Sequence, residues 1–151
     1  MFSTVRYFIK TSLIFLITGL LTGIYMSVSK YITLTGVPQE LISAHTHIIL
    51  AGSVMMMIMG VALWFFPKAG KDDKKYKPGL ILFTYYLITS ATALRFIFQI
   101  VASVSFLKWI YILVTITSIF QVIAFILFFY SMWGRIRSVG SHLREAKGER
   151  F

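Results

Sequence analysis

The chain has 151 residues, of which 58% are hydrophobic and only 13% are charged, and its formal net charge is +10. Soluble domains carry about a quarter charged residues, so this composition excludes both an ordinary soluble domain and an intrinsically disordered one. Cysteine is absent. Disulfides, thiolate metal sites, iron–sulfur clusters, covalently attached haem and cysteine nucleophiles are therefore excluded as well.

Four windows almost free of charge divide the sequence, at positions 11–29, 41–67, 78–107 and 109–134, and only the third contains a charged residue, Arg95. Each window is about as long as, or longer than, the roughly 20 apolar residues that a membrane-spanning helix requires. Helices also satisfy their own backbone hydrogen bonds in lipid. We therefore predict an all-α integral membrane four-helix bundle, with helices at about 7–28, 41–66, 78–103 and 107–133.

These helices form one transmembrane domain at residues 1–134, followed by a basic tail at residues 135–151. Pro78 is favourable in the first turn of the third helix. The connection between the third and fourth helices is short, which predicts that the two are antiparallel neighbours.

The basic residues are unequally divided between the two ends of the spans. Two, Lys30 and Lys108, lie on one side, and twelve lie on the other. The twelve are Arg6, Lys10, Lys68, Lys71, Lys74, Lys75, Lys77, Arg135, Arg137, Arg144, Lys147 and Arg150. The positive-inside rule therefore predicts cytoplasmic termini in a multi-pass protein of a bacterial-type inner membrane. This distribution explains the net charge through contact with the lipid bilayer, so we expect no nucleic-acid partner.

Polar side chains inside the spans are costly in lipid and need an explanation. His45 and His47 lie near the outer end of the second helix. Two residues apart on a helix means about 200° apart, so the pair cannot share one metal ion from one regular helix. His45 is followed at helical spacing by Gly52 and then Met56, and the glycine leaves a gap that a planar ring could approach.

Arg95 lies 17 residues after Pro78, or about 26 Å along a helix, which puts it near the depth of the histidines. Gln99 is one turn further out, and Gln121 is near the middle of the fourth helix. No span contains an acidic residue, so a bound anion such as a haem propionate would suit the arginine. An imidazole, a gap and a guanidinium are what haem b requires. The alternative is an interhelical hydrogen-bond network without a cofactor.

A cluster of methionines, Met55, Met56, Met57 and Met59, follows the histidines. Thioethers suit Cu(I), so a copper carrier is one interpretation. Three consecutive methionines point in three directions around a helix, however, and flexible packing is the favoured interpretation.

The second helix resembles that of the haem–copper oxidase catalytic subunit, especially the nitric oxide reductase and C-type oxidase branch. The residues that carry the resemblance are Ala44, His45, Thr46, His47, Gly52, Gly60, Trp64 and Pro67. Ala93, Leu94, Arg95 and Gln99, then Ser118, Gln121 and Ala124, are similar to small membrane proteins related to that subunit. The resemblance covers the second to fourth helices. It implies that His45 matches the low-spin haem ligand, while His47 stands where only some small relatives have a second histidine.

The chain also departs from that family. The large subunits carry further haem-ligating and copper-ligating histidines on later helices, and neither those helices nor spare histidines exist here, because the third histidine, His142, is in the tail. A complete oxidase on this chain is therefore not expected. One solution is a single axial histidine with an open position that binds a gas or takes a weak ligand such as methionine. The other, a haem shared between protomers, makes the protein a homo-oligomer, which we favour.

Two functional hypotheses follow. The first is a membrane b-type haem protein for electron transfer or for binding nitric oxide or oxygen, at most a haem-dependent oxidoreductase or a subunit of one, with a redox partner. Its iron ligand would be His45 or His47, and Gly52, Arg95 and Gln99 would contact the cofactor. The second is a non-redox assembly subunit, or a carrier for a metal or an anion. No hydrolytic site is expected, because every span lacks an acidic general base.

Overall fold

A computed structural model describes residues 2–66 and 77–136 as five α-helices and two short irregular helical segments. The helices are α1 (Phe2–Tyr31), α2 (Gln39–His47), α3 (Met56–Phe65), α4 (Pro78–Val104) and α5 (Lys108–Met132). A π-helical segment, Ile48–Met55, joins α2 to α3, and a 3₁₀ turn, Trp133–Arg135, follows α5. The described residues contain no strand, which confirms the all-α prediction.

Four helical stretches are long and apolar enough to cross a membrane, as the charge-free windows predicted. The second of them, Gln39–Phe65, comprises α2, the π-helical segment and α3 and is called the second span below. This is the pattern of a multi-pass membrane protein. Most of the predicted loop before α4 and the predicted tail after Ile136 lie outside the described residues.

The first two helices begin before the positions predicted for them. The first was expected at about 7–28 and runs over Phe2–Tyr31, and the second was expected to begin near 41 and begins at Gln39. The side chains of Arg6, Lys10 and Lys30 are exposed on α1. Long basic side chains can reach the membrane interface from a helix end, so a charge-free window marks the part of a helix in lipid and not its full length.

The second span is not a regular α-helix, although the predicted alignment of His45 with Gly52 and Met56 assumed one. Its middle, Ile48–Met55, is π-helical, with hydrogen bonds that reach one residue further than in an α-helix. Gly52 and the buried Ser53 lie inside this segment. The predicted alignment of His45 above Gly52 and Met56 therefore does not hold, because the helical period changes between them.

The helices pack in an order that leaves α5 on the outside. The α1 helix packs on the π-helical segment and α3, while α4 packs on α2 and, along its length, on α5. The predicted pairing of the last two helices is thus confirmed. Within the described residues α5 has little backbone contact with α1 or the second span. The Phe8 and Phe128 rings, with centroids 6.0 Å apart, do join α1 to α5 near the start of α1. The half of the bundle that holds the start of α1 is called the inner half below, and the half that holds the end of α1 and the start of α2 is called the outer half.

Arg135 closes the inner end of the bundle. The sequence assigns this residue to the basic tail, but its side chain is 2% exposed. Its Nη2 donates to the carbonyl oxygens of Leu63 at 3.2 Å and Phe66 at 3.0 Å, and its Nη1 lies 3.5 Å from the Met132 sulfur. A cation that binds the last carbonyls of a helix also interacts favourably with the helix dipole. Arg135 therefore fastens the end of α5 to the end of α3.

We expect Arg135→Leu to lower the free energy of unfolding by about 1.5–3 kcal/mol, the contribution typical of hydrogen bonds to a charged group. The measurement is unfolding of the detergent-solubilised protein followed by helical circular dichroism. Arg6→Leu is the matched control, because Arg6 is exposed on α1. Equal effects of the two substitutions would contradict the structural role given to Arg135.

Candidate functional site

His45 is held against α1 by one hydrogen bond and one close contact. Its Nδ1 lies 2.9 Å from the carbonyl oxygen of Gly19. A carbonyl only accepts, so Nδ1 is the protonated, donating nitrogen. The ring lies against Gly23, where an added Cβ would be 3.0 Å from the imidazole Cε1. Within the described residues no hydrogen bond engages Nε2, so this nitrogen keeps a lone pair available for a ligand bond.

His47 uses both of its ring nitrogens within the protein. Nδ1 lies 2.8 Å from the carbonyl oxygen of Ser43, and Nε2 lies 2.9 Å from Nη2 of Arg95. Because a guanidinium only donates, Nε2 accepts and Nδ1 carries the proton. His47 is therefore a neutral imidazole in this arrangement, with no nitrogen left for another ligand.

Arg95 connects the second span to α5. It donates from Nη2 to His47 and from Nη1 to Oε1 of Gln121 at 2.9 Å, and Gln121 in turn donates to Thr92 Oγ1 at 2.8 Å. Both partners of the guanidinium are neutral. The one acidic residue in the described ranges, Glu40, is at the start of α2. Among the described residues, Arg95 therefore has hydrogen bonds to neutral side chains and none to a carboxylate.

Gln99 extends the same group of residues outward. Its Nε2 lies 2.7 Å from Ser43 Oγ, and its side chain is 2% exposed. Its Oε1 and the Nε of Arg95 are buried without a hydrogen-bond partner in the described part of the chain. The residues joined in this way are called the outer polar cluster: Ser43, His47, Thr92, Arg95, Gln99 and Gln121.

The space in front of Gly52 is filled by neighbouring helices. A Cβ at this position would be 2.9 Å from Phe15 Cδ2 and 2.9 Å from Thr92 Cγ2. The glycine therefore allows the second span to approach α1 and α4 closely, and no open slot for a planar ring remains beside it.

The two histidines face different helices, as their spacing predicted. His45 contacts Gly19 and Gly23 of α1, whereas His47 contacts Arg95 of α4. The structure therefore brings His47, Arg95, Gln99 and Gln121 together and leaves His45 and Gly52 out of this cluster. Of the two predicted iron ligands, His47 is thus the one that the fold groups with Arg95 and Gln99, and His45 lies apart from them.

Sequence reasoning missed four contributors to these contacts. Ser43 and Thr92 belong to the outer polar cluster, and Gly19 and Gly23 form the seat of His45. A signal existed for two of them. Ser43 is one turn before His47 and Thr92 is three residues before Arg95, so each shares a helix face with a residue already singled out.

Two of the methionines are packed in the hydrophobic core. Met56 and Met59 have exposed fractions of 0% and 1%, and the Met57 sulfur lies 3.7 Å from Ser12 Oγ, its hydrogen-bond donor. Within the described ranges no group of three or more His, Cys, Asp or Glu side chains could hold a metal ion. Packing, the favoured interpretation, therefore describes Met56 and Met59, and the copper interpretation stays a prediction.

We expect His47→Leu to destabilise the protein by about 1–3 kcal/mol, because it removes the acceptor of the partly buried Arg95 Nη2 group. The neighbouring Thr46→Val is the matched control, since Thr46 is exposed and its hydroxyl bonds only to Ile42 of its own helix. Chemical unfolding in detergent measures both variants. If His47→Leu is as stable as Thr46→Val, the link between His47 and Arg95 contributes nothing to folding.

Searches with this chain against protein-family models, curated proteins and solved structures give no significant match. The resemblance to haem–copper oxidase subunit I therefore rests on the residues named above. The function has to be argued from the two arrangements around His45 and Arg95.

Proposed function

We propose that this chain is a membrane b-type haem protein related to haem–copper oxidase subunit I. Its role would be electron transfer or gas binding, and it would not be a complete oxidase by itself. The supporting observation is the state of His45, whose Nδ1 donates to the Gly19 carbonyl while Nε2 has no hydrogen-bond partner within the described residues. Metal-ligating histidines usually donate their other ring nitrogen in this way, which fixes the tautomer and the ring orientation.

Of the two histidines, His45 is the better axial ligand. An iron bond to His47 Nε2 would displace the hydrogen bond from Arg95, which is strengthened by the guanidinium charge. An iron bond to His45 Nε2 would displace no hydrogen bond among the described residues. Its ring already lies against Gly23, and an added side chain there would push it away.

The other predicted cofactor contacts do not fit a haem bound to His45. Arg95 and Gln99 are grouped with His47 rather than with His45, and Gly52 is covered by Phe15. Lys30 lies seven residues beyond Gly23, on nearly the same face of α1, and its ammonium is 5.2 Å from the centroid of the Tyr31 ring. We therefore assign the propionate contact to the outer end of α1 in this proposal, in place of Arg95.

The haem would supply a one-electron iron couple and, where its sixth position is open, a site for a diatomic gas. The chain would supply three things. His45 binds, the Gly19 carbonyl raises the basicity of the imidazole through its hydrogen bond, and Gly23 sets the ring orientation. The surrounding apolar helices keep the site dry, which affects the iron potential.

Within the described residues one histidine per chain, His45, has a ring nitrogen without a hydrogen-bond partner, which leaves two coordination states. Either the haem has one protein ligand, or it is shared by His45 residues of two protomers. We favour the shared haem and therefore a homo-oligomer in a bacterial-type inner membrane, with a redox partner at the outer face. His45 is only partly buried, which suits a position at the edge of a protomer.

A second candidate function is a non-redox membrane subunit. The observation that favours it is the outer polar cluster, where His47, Arg95 and Gln121 bond to one another without a cofactor. A copper carrier has less support, because Met56 and Met59 are packed in the core.

We expect the purified protein, expressed with haem supplied, to have a Soret absorption band that His45→Ala removes and His47→Ala retains. The reason is that His45 Nε2 is unengaged and His47 Nε2 is not. Absorption spectra of the three proteins at matched concentration measure this. A wild-type protein without a Soret band would end the haem proposal and favour the non-redox subunit. Retention of the band in His45→Ala would assign the iron to another ligand.

We also expect one haem per two chains and little change in the reduced spectrum when carbon monoxide is added, because two imidazoles would fill both axial positions. Haem-to-protein ratio and the reduced spectra with and without carbon monoxide are the measurements. A ratio of one haem per chain with a clear carbon monoxide shift would replace the shared haem by a single axial ligand and a gas-binding role.

A further inference from the structure

We infer that the outer polar cluster is a second binding site, independent of haem, for the carboxylate of a single-chain lipid such as a fatty acid. Arg95 is a cation without an acidic neighbour along the sequence. It is the sole charged residue in the four apolar windows, and none of these windows contains an acid. Its partners, His47 and Gln121, are neutral. A partly buried cation that is hydrogen-bonded only to neutral groups still bears a desolvation cost, which an anion would offset.

Arg95 has N–H donors that its bonds to His47 and Gln121 do not use. A guanidinium carries five N–H groups in a rigid fork. The bonds to His47 and Gln121 use one hydrogen each on Nη2 and Nη1, and the buried Nε has no partner in the described residues. The Nε edge, with the adjacent Nη hydrogen, is one of the two-donor edges that bind a carboxylate in bidentate fashion.

Gln99, one turn beyond Arg95, also has an unpartnered polar atom in the described residues. Its Oε1 is buried without a partner, while its Nε2 bonds to the Ser43 hydroxyl. A hydroxyl both donates and accepts, so a 180° rotation of the amide keeps the bond to Ser43. The same rotation turns the amide N–H toward the position now held by the unpartnered oxygen. Gln99 can therefore add a third donor for an anion.

The depth of Arg95 along α4 indicates which kind of anionic ligand could reach it. Arg95 is nine residues before the outer end of the 27-residue α4, or about 14 Å along its axis at 1.5 Å per residue. A hydrocarbon core of about 30 Å, centred on a helix of about 40 Å, places the guanidinium about 9 Å below its outer boundary. A phospholipid phosphate remains outside this core, whereas the small head of a fatty acid can reach an arginine there.

Apolar side chains are exposed on the two helical stretches that Arg95 links. In the described structure α5 packs on α4 and has little backbone contact with the second span. The side chains of Leu50 and Val54 on the second span and of Ile116 and Phe120 on α5 are exposed. In a bilayer these surfaces meet acyl chains. The apolar tail of the ligand would therefore lie beside residues that need such contact.

Oleate binding to the detergent-solubilised full chain tests this inference, with affinity measured by titration calorimetry and bound lipid identified by native mass spectrometry. We expect Arg95→Gln to weaken binding at least tenfold. Arg95→Lys keeps the charge but loses the fork, so it should weaken binding while it remains folded. Thr18→Ala is the matched control, because the Thr18 hydroxyl bonds only to Ile14 of its own helix.

His45→Ala separates this site from the haem proposal: oleate binding should persist in that variant, with or without a Soret band. Equal oleate affinity in wild type, Arg95→Gln and Arg95→Lys would overturn the inference. Acetate bound as tightly as oleate would also overturn it, because a lipid chain would then contribute nothing. Loss of oleate binding in His45→Ala, with Arg95 intact, would assign the carboxylate to the His45 side of the second span.

Discussion

The arrangement of the outer half depends on one guanidinium that sits within the bundle without a carboxylate. Arg95 on α4 donates to His47 on the second span and to Gln121 on α5. These two bonds link the second span to α5 through α4 where direct backbone contact is scarce. The arginine thus does for the outer half what Arg135 does for the inner end, where it donates to the carbonyls of Leu63 and Phe66. Both cations link helices through hydrogen bonds to neutral groups, Arg95 to two side chains and Arg135 to two backbone carbonyls.

The second span is central to the fold because its two faces contact different helices, α1 on one side and α4 on the other. His45 and His47 are two residues apart, yet one donates to a carbonyl of α1 and the other accepts from an arginine of α4. Each contact selects a tautomer with the proton on Nδ1. The result is chemically unequal: His47 has its Nε2 engaged, and His45 keeps its Nε2 unengaged. A pair of histidines that looks like one motif in the sequence is therefore two sites with two chemistries.

The π-helical segment below the histidines separates these sites from the core. Its residues are packed closely between α1 and α4, and Gly52 touches side chains from both. Single-turn π bulges often occur at functional sites, and this segment is longer than one turn. Its consequence is concrete, because it breaks the helical register between the histidines and the methionines. Met56 and Met59 therefore belong to the core, and the polar chemistry is confined to the outer half.

Much of this protein could be read from its sequence, and the reason is physical. Apolar windows indicate which helices are long and apolar enough to cross lipid, and the 100° step of a helix determines that His45 and His47 face different ways. The lack of acids in those windows explains why the partners of Arg95 in the described residues are neutral. None of these depends on which helix lies beside which. The tertiary structure decided the rest: that Gly19 and Gly23 receive His45, that Phe15 and Thr92 fill the space at Gly52, that His47 and not His45 meets Arg95, and that Arg135 is buried. Each of these requires side chains from separate helices to come within a few ångströms, and a helical period specifies a direction but not the neighbour that lies there.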